Sequence, residues 1–240
     1  MCCRYVLLQE HAKSLLAQLG VLLEAGAPLP SSRYNIPPGG RIPAVRARSD
    51  SSRELISLHW GLTPSWARDR TDPPPATNAR SETLGEKPTF RDAVRTRRCL
   101  IPASGFYEWK VFGRARQPWL FRLLDERPFA FAGLSETWLA PDGTVHESCA
   151  LVTTAPNAVM EPVHHRMPVL LAEPAAWDAW LDLRITSLDT LAPLFRPFPA
   201  ARMTALEVGP RVNNTRDDSP DCLIDAATAA AAEPQFSLGL

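Results

Sequence analysis

The residue with the most distinctive chemistry is Cys2. An initiator methionine is removed when the second residue is small, and cysteine qualifies. Loss of Met1 leaves Cys2 with a free α-amine and a thiol on adjacent carbons. An α-amine has a pKa near ~7.7–8.0, against ~10.4 for lysine, so a useful fraction is unprotonated at neutral pH. Such an amine condenses with an aldehyde to an imine, and the thiol then closes on the imine carbon to give a five-membered thiazolidine. Both groups must stand on one α-carbon framework, which no internal residue provides.

Other side chains can serve that chemistry. In Gly105-Phe106-Tyr107-Glu108-Trp109, alternation puts Glu108 on the face of Phe106 and opposite Tyr107 and Trp109. Burial of that face raises the Glu108 pKa and suits it to act as acid or base near neutrality. A surface ion pair with an arginine is the plainer alternative. Pro162-Val163-His164-His165-Arg166-Met167-Pro168 is bracketed by prolines, which makes it a loop or a strand edge. A histidine there can be aimed at a site, with a pKa suited to proton transfer. Five cysteines without CxxC spacing, and histidines without HxxxH spacing, give no metal signature, so neither metal nor cofactor is expected. Trp60 and Trp66 flank a Gly/Pro loop, where an exposed indole can stack on a base; a pair of core anchors is the alternative. Arg4, Arg80 and Arg166 lie beside the chemical segments and suit bidentate phosphate binding. From Lys87 to Arg122 there are nine basic residues against Asp92 and Glu108, a local excess able to form a phosphate-binding face or simply a solvated surface.

These residues must be held by a fold the sequence also outlines. The 240 residues suffice for a core without disulfides, and 45% hydrophobic with 22% charged residues is ordinary for a globular protein. Twenty-four dispersed prolines leave little room for long helices. Net charge is zero, so no global basic footprint marks a nucleic-acid partner. No signal peptide or membrane-length apolar run is seen, and reduced thiols in the cytoplasm are expected, at the nucleoid in a bacterium. Strands are predicted at 4–8, 42–48, 54–62, 99–102, 105–111, 119–124, 129–134, 149–153 and 205–208. Helices are predicted at 12–23, 90–97, 177–181 and 186–194, and residues 28–40 and 70–77 read as loops. This is an α+β fold: one domain over residues 1–225 around a curved, mostly antiparallel β-sheet with a barrel-like core and short flanking helices, followed by a flexible tail over 226–240.

The segments, taken in order, resemble the SOS response-associated peptidase (SRAP) family. The resemblance rests on Met1-Cys2, Tyr34-Asn35-Ile36-Pro37-Pro38, Trp60-Gly61-Leu62-Thr63-Pro64-Ser65-Trp66, Asn78-Ala79-Arg80-Ser81-Glu82-Thr83, Gly105-Phe106-Tyr107-Glu108-Trp109, His164-His165-Arg166-Met167-Pro168 and Val212-Asn213-Asn214. It implies the SRAP fold and a monomeric sensor that cross-links to abasic sites in single-stranded DNA through Cys2, together with self-processing at Met1. By the same resemblance Asn78 holds the N-terminal residue, Glu108 shuttles protons, His164 polarises the opened sugar, and Arg4, Trp60, Arg80 and Arg166 grip the DNA, with Trp66 as a further stacking candidate. Two positions depart from the family pattern: Cys3 stands where glycine is usual, and His165 where an acidic residue is expected. A cysteine peptidase using Cys2 and His164, and a non-covalent single-strand binding module, are the competing functions.

Overall fold

The computed structural model describes residues 3–21 and 28–232; Cys2 and the tail from 233 lie outside the described residues. In chain order the strands are β1 (Tyr5–Leu7), β2 (Arg33–Ile36), β3 (Arg41–Ala47), β4 (Arg53–Trp60), β5 (Asn78–Arg80), β6 (Arg98–Ala103), β7 (Gly105–Phe112), β8 (Ala115–Leu123), β9 (Phe129–Leu139), β10 (Val145–Thr154), β11 (Met167–Pro168), β12 (Leu170–Leu171) and β13 (Met203–Glu207). The helices are α1 (Gln9–Gln18), α2 (Ala93–Thr96), α3 (Pro174–Leu181), α4 (Leu188–Leu191) and α5 (Ala226–Ala232).

Strands β10, β4, β3, β6 and β9 follow one another by hydrogen bonding, and β9 pairs back onto β10, so the ring closes into a small barrel. Most pairings are antiparallel; β4 and β5 run parallel to β10. A second sheet, in the order β13-β8-β7-β1-β2, covers the barrel. Tyr5 joins the two, meeting Trp60 and Phe131 edge to face at 5.6 and 5.7 Å between ring centroids.

The period-2 pattern explains why the barrel strands are apolar throughout. Along β6 and β9, Cys99, Ile101, Phe129 and Phe131 face the shared core with Phe106 and Phe121, while Leu100, Ala130 and Ala132 face the helical layer with Leu15, Leu16, Trp177 and Trp180. A strand buried on both faces loses its polar alternation. At Gly105, an added Cβ would stand 2.9 Å from the Phe121 carbonyl oxygen, so the close approach of β7 to β8 there admits only glycine.

Several elements differ from their sequence outline. Gly20, at a φ of +65°, ends α1 early, short of the helix predicted to residue 23. Residues 28–40 are not all loop: β2 forms because the Asp218 carboxylate accepts the backbone N–H groups of Tyr34 and Asn35, a partner some 180 residues away that no local pattern reveals. The helix predicted over 186–194 is only one turn, and a 3₁₀ segment with Pro193 at its start continues it. The predicted flexible tail begins with helix α5 instead, whose Ala229 packs against Gly209.

Candidate functional site

The register between β1 and β7 sets the site. Tyr5 pairs with Phe106, and the Arg4 carbonyl accepts the Tyr107 N–H at 3.0 Å. Two residues back along β1 and two forward along β7, Cys3 stands level with Glu108, and the two interact electrostatically. Cys2 is covalently one peptide unit further, about 3.8 Å between Cα atoms.

Glu108 is 3% exposed on the Phe106 face, as alternation predicts, and so lies in the interior and not at the surface. Burial raises its pKa. The carboxyl therefore retains its proton to higher pH than an ordinary glutamate, the condition for a general acid near neutrality. Burial also raises the half-buried Cys3 thiol, reinforced by the Glu108 charge. Cys3 is thus held as the poorly nucleophilic thiol.

The opposite wall is built on the end of β10. There β5 and β11 flank the same residues: Leu151 pairs with Asn78, and Thr153 pairs with both Arg80 and Pro168. Two strand spacings place Asn78 and Arg80 about 10 Å from the segment that enters β11. That segment is shaped by Asn157, whose side-chain oxygen accepts the Val159 and Met160 N–H groups while its amide donates to the Phe198 carbonyl. The resulting turn delivers His164, whose N–H bonds the Met160 carbonyl at 3.0 Å. His164 Nδ1 lies 3.0 Å from the Arg166 backbone N–H, a fixed donor. The same nitrogen lies 3.1 Å from the Arg166 carbonyl, so one ring nitrogen is engaged by this backbone whichever tautomer is present. Burial lowers the His164 pKa, which favours the neutral imidazole. His165 stacks on His164 with centroids 4.4 Å apart, is exposed, and feels the charges of Arg80 and Glu108. The two walls therefore face one another.

The structure divides the predicted DNA-binding residues. Arg80 is exposed beside this crevice. Trp60 is 0% exposed and donates its indole N–H to the Thr77 carbonyl; it is a core anchor and presents no ring to a base. Arg4, 8% exposed, donates to Asn35 Oδ1 at 2.8 Å and the Val212 carbonyl at 2.9 Å, and lies over Trp109. Its guanidinium holds the chain start against the rest of the fold. Arg166 forms a bidentate pair with Glu82 and donates to the Thr153 carbonyl at 2.7 Å, tying the His164 turn to β10. Trp66 is 56% exposed, in the loop whose next residue, Ala67, accepts the Trp138 indole N–H.

Sequence reasoning assigned no role to Asn35, Val212 or Asn213, although all three lie in the motifs that carry the resemblance. Asn35 is fully buried, donating to the carbonyls of Asn214 and Asp217, and Asn213 accepts the Trp109 indole N–H at 2.6 Å. Together they seat Arg4. The nine-residue basic run is likewise dispersed: Arg98 is buried on the carbonyls of Trp180, Val94 and Asp182, Arg97 pairs with Glu136, and Lys110, Arg114 and Arg116 stay together on the β7–β8 hairpin.

The fold is a closed barrel under a second sheet, with the start of β1 running beside a buried carboxyl. The sequence profile of the family described as SOS response associated peptidase (SRAP) matches residues 1–215. This chain belongs to that family. Abasic site processing protein YoqW of Bacillus subtilis (strain 168) is 38% identical over 226 residues, covering 93% of this chain and 99% of its own length. Abasic site processing protein HMCES of Mus musculus is 30% identical, covering 84% of this chain and 67% of its own. A crystal structure of a Bacteroides thetaiotaomicron protein superposes with a TM-score of 0.80 at 26% identity, covering 92% of this chain and 98% of that one.

Proposed function

We propose that this protein traps the aldehyde of abasic sites in single-stranded DNA as a thiazolidine on Cys2, shielding the lesion. The observation that carries the proposal is the β1–β7 register, which runs the chain start alongside the buried, proton-retaining Glu108. The names of the relatives supply the substrate class.

In this reading the α-amine of Cys2 adds to the C1 aldehyde of the ring-opened sugar. Protonated Glu108 gives its proton to the carbinolamine hydroxyl, which leaves as water, and the nitrogen's proton returns to the Glu108 carboxylate as the imine forms. The Cys2 thiol then adds to the imine carbon: sulfur bonds to carbon and the thiol's proton passes to the imine nitrogen. The net change is aldehyde plus aminothiol to thiazolidine plus water. His164 polarises the sugar oxygen freed by ring opening. Asn78 holds the N-terminal residue and Arg80 takes a flanking phosphate. Glu82, Arg166 and Thr153 keep these side chains in position. Cys3, held as a thiol and lacking a free amine, cannot complete the ring.

Intact mass spectrometry before and after mixing with an abasic single-stranded oligonucleotide tests the proposal. The expected species lacks Met1 and gains the oligonucleotide less one water, and Cys2→Ala gives none. Equal cross-linking by Cys2→Ala, or by protein that retains Met1, would overturn it.

A further inference from the structure

The face of β7 that carries Glu108 continues outward. By alternation Phe106, Glu108, Lys110 and Phe112 share that face, and the strand leaves the core between Glu108 and the hairpin tip. Phe106 and Glu108 are buried, Lys110 is half-buried, and Phe112 is 55% exposed. At about 3.3 Å per residue, Lys110 and Phe112 stand about 7 and 13 Å from Glu108. Val111, on the other face, is exposed too. The hairpin turns at Gly113 and Arg114, and exposed Arg114 in the turn and Arg116 at the start of β8 add two cations.

No acidic residue occurs between Glu108 and Asp125. Among the described residues Lys110, Arg114 and Arg116 enter no ion pair. Lys110 lies over the Phe112 ring at 5.0 Å, and the Arg116 charge reaches Cys3. An exposed phenylalanine among these cations, on a strand that starts at the site, combines a stacking surface with phosphate charge. That is the pairing single-strand binding surfaces use.

We infer that the β7–β8 hairpin tip, residues 110–116, is a subsite for the DNA strand flanking the lesion, with a base stacked on Phe112 and backbone phosphates on Lys110, Arg114 and Arg116. The inference rests on the cross-linking reading for its placement of the lesion at Glu108. The cations supply the sequence-independent attraction and Phe112 fixes the register, so the subsite discriminates by strand length on one side of the lesion and ignores base identity.

The test measures equilibrium binding of the full chain, with Cys2→Ala in every variant to prevent covalent capture, to single strands centred on an abasic site. Phe112→Ala should weaken binding at least fivefold, the lower end of what loss of one base–aromatic stack produces. Arg114→Ser with Arg116→Ser should flatten the log–log salt dependence by about 1.4, roughly 0.7 for each single-strand phosphate that is no longer neutralised. Trimming the strand to one nucleotide on the 5′ side, and separately on the 3′ side, should erase the Phe112→Ala effect in one arm only. In the Cys2-containing background, cross-linking at saturating DNA should keep its rate in both hairpin variants. Unchanged affinity and salt slope would overturn the inference, as would a Phe112→Ala effect confined to self-association in sedimentation. A wild type that binds through the hairpin but forms no adduct would overturn the cross-linking reading and leave the subsite standing.

Discussion

Replacing Arg4 separates two roles with opposite signatures. In the structure the guanidinium makes two buried hydrogen bonds, to Asn35 Oδ1 and the Val212 carbonyl, and lies over Trp109. A hydrogen bond from a charged donor contributes about 1.5–3 kcal/mol, and Arg4→Met leaves both acceptors buried without that donor. Methionine refills most of the volume and recovers about 1 kcal/mol of apolar burial. The expected net loss is about 2–5 kcal/mol of folding stability. For a chain of this size each kcal/mol moves the melting temperature by about 2–4 °C, so a fall of about 4–20 °C is predicted. Urea denaturation gives the free energy directly, and a double-mutant cycle with Asn35→Ala should show coupling, because the two side chains share one bond. The salt dependence of DNA binding, measured below the melting transition in the Cys2→Ala background, should stay as it was. A variant with unchanged melting temperature and a salt slope flatter by about 0.7 would refute the reasoning and restore Arg4 as a phosphate clamp.

Trp60→Ala should cost about 3–5 kcal/mol in urea denaturation, as expected for a buried aromatic, whereas Trp66→Ala should stay within about 0.5 kcal/mol. Glu108→Gln should slow adduct formation by about 10²–10⁴-fold, followed by quenched time courses on denaturing gels. Burial raises the Glu108 pKa, so the wild-type rate should fall as pH rises through that raised value, and the limb should be absent in Glu108→Gln. The same shift means the folded state keeps this proton where the unfolded chain has lost it. The Glu108 contribution to stability is therefore complete below the unfolded value near ~4.3 and is lost as pH rises through the folded one; Glu108→Gln should flatten that decline in denaturation midpoints. Nitrogen-15 spectra should show His164 neutral at pH 7 and titrating below an ordinary histidine.

What the chain reveals on inspection depends on how local the cause is. Strands β6, β7, β9 and β10 follow from apolar runs and turn residues, and the burial of Glu108 follows from alternation next to Phe106. The aminothiol chemistry proposed for Cys2 is suggested by its position after Met1, but position alone leaves a merely small residue as the plainer reading. The fates of the arginines are not: Arg4, Arg80 and Arg166 look alike in sequence. Only tertiary structure sends the first to Asn35 and Val212 and the third to Glu82, leaving Arg80 exposed. Trp60 and Trp66 likewise flank one loop, yet the register against β10 buries the first while the second stays exposed. Strand β2 escaped because its stabilising partner, Asp218, is remote in the chain.

Strand β10 is a stave of the closed ring and, over its last residues, the common support of β5 and β11. Drawing β5 and β11 apart would mean drawing that stave out, so amide protons of Leu151 and Val152 should exchange only when the whole molecule opens. The β10 wall is then a fixed gauge: the spacing between Asn78, Arg80 and the His164 turn is set by the ring itself and not by the strands that carry them.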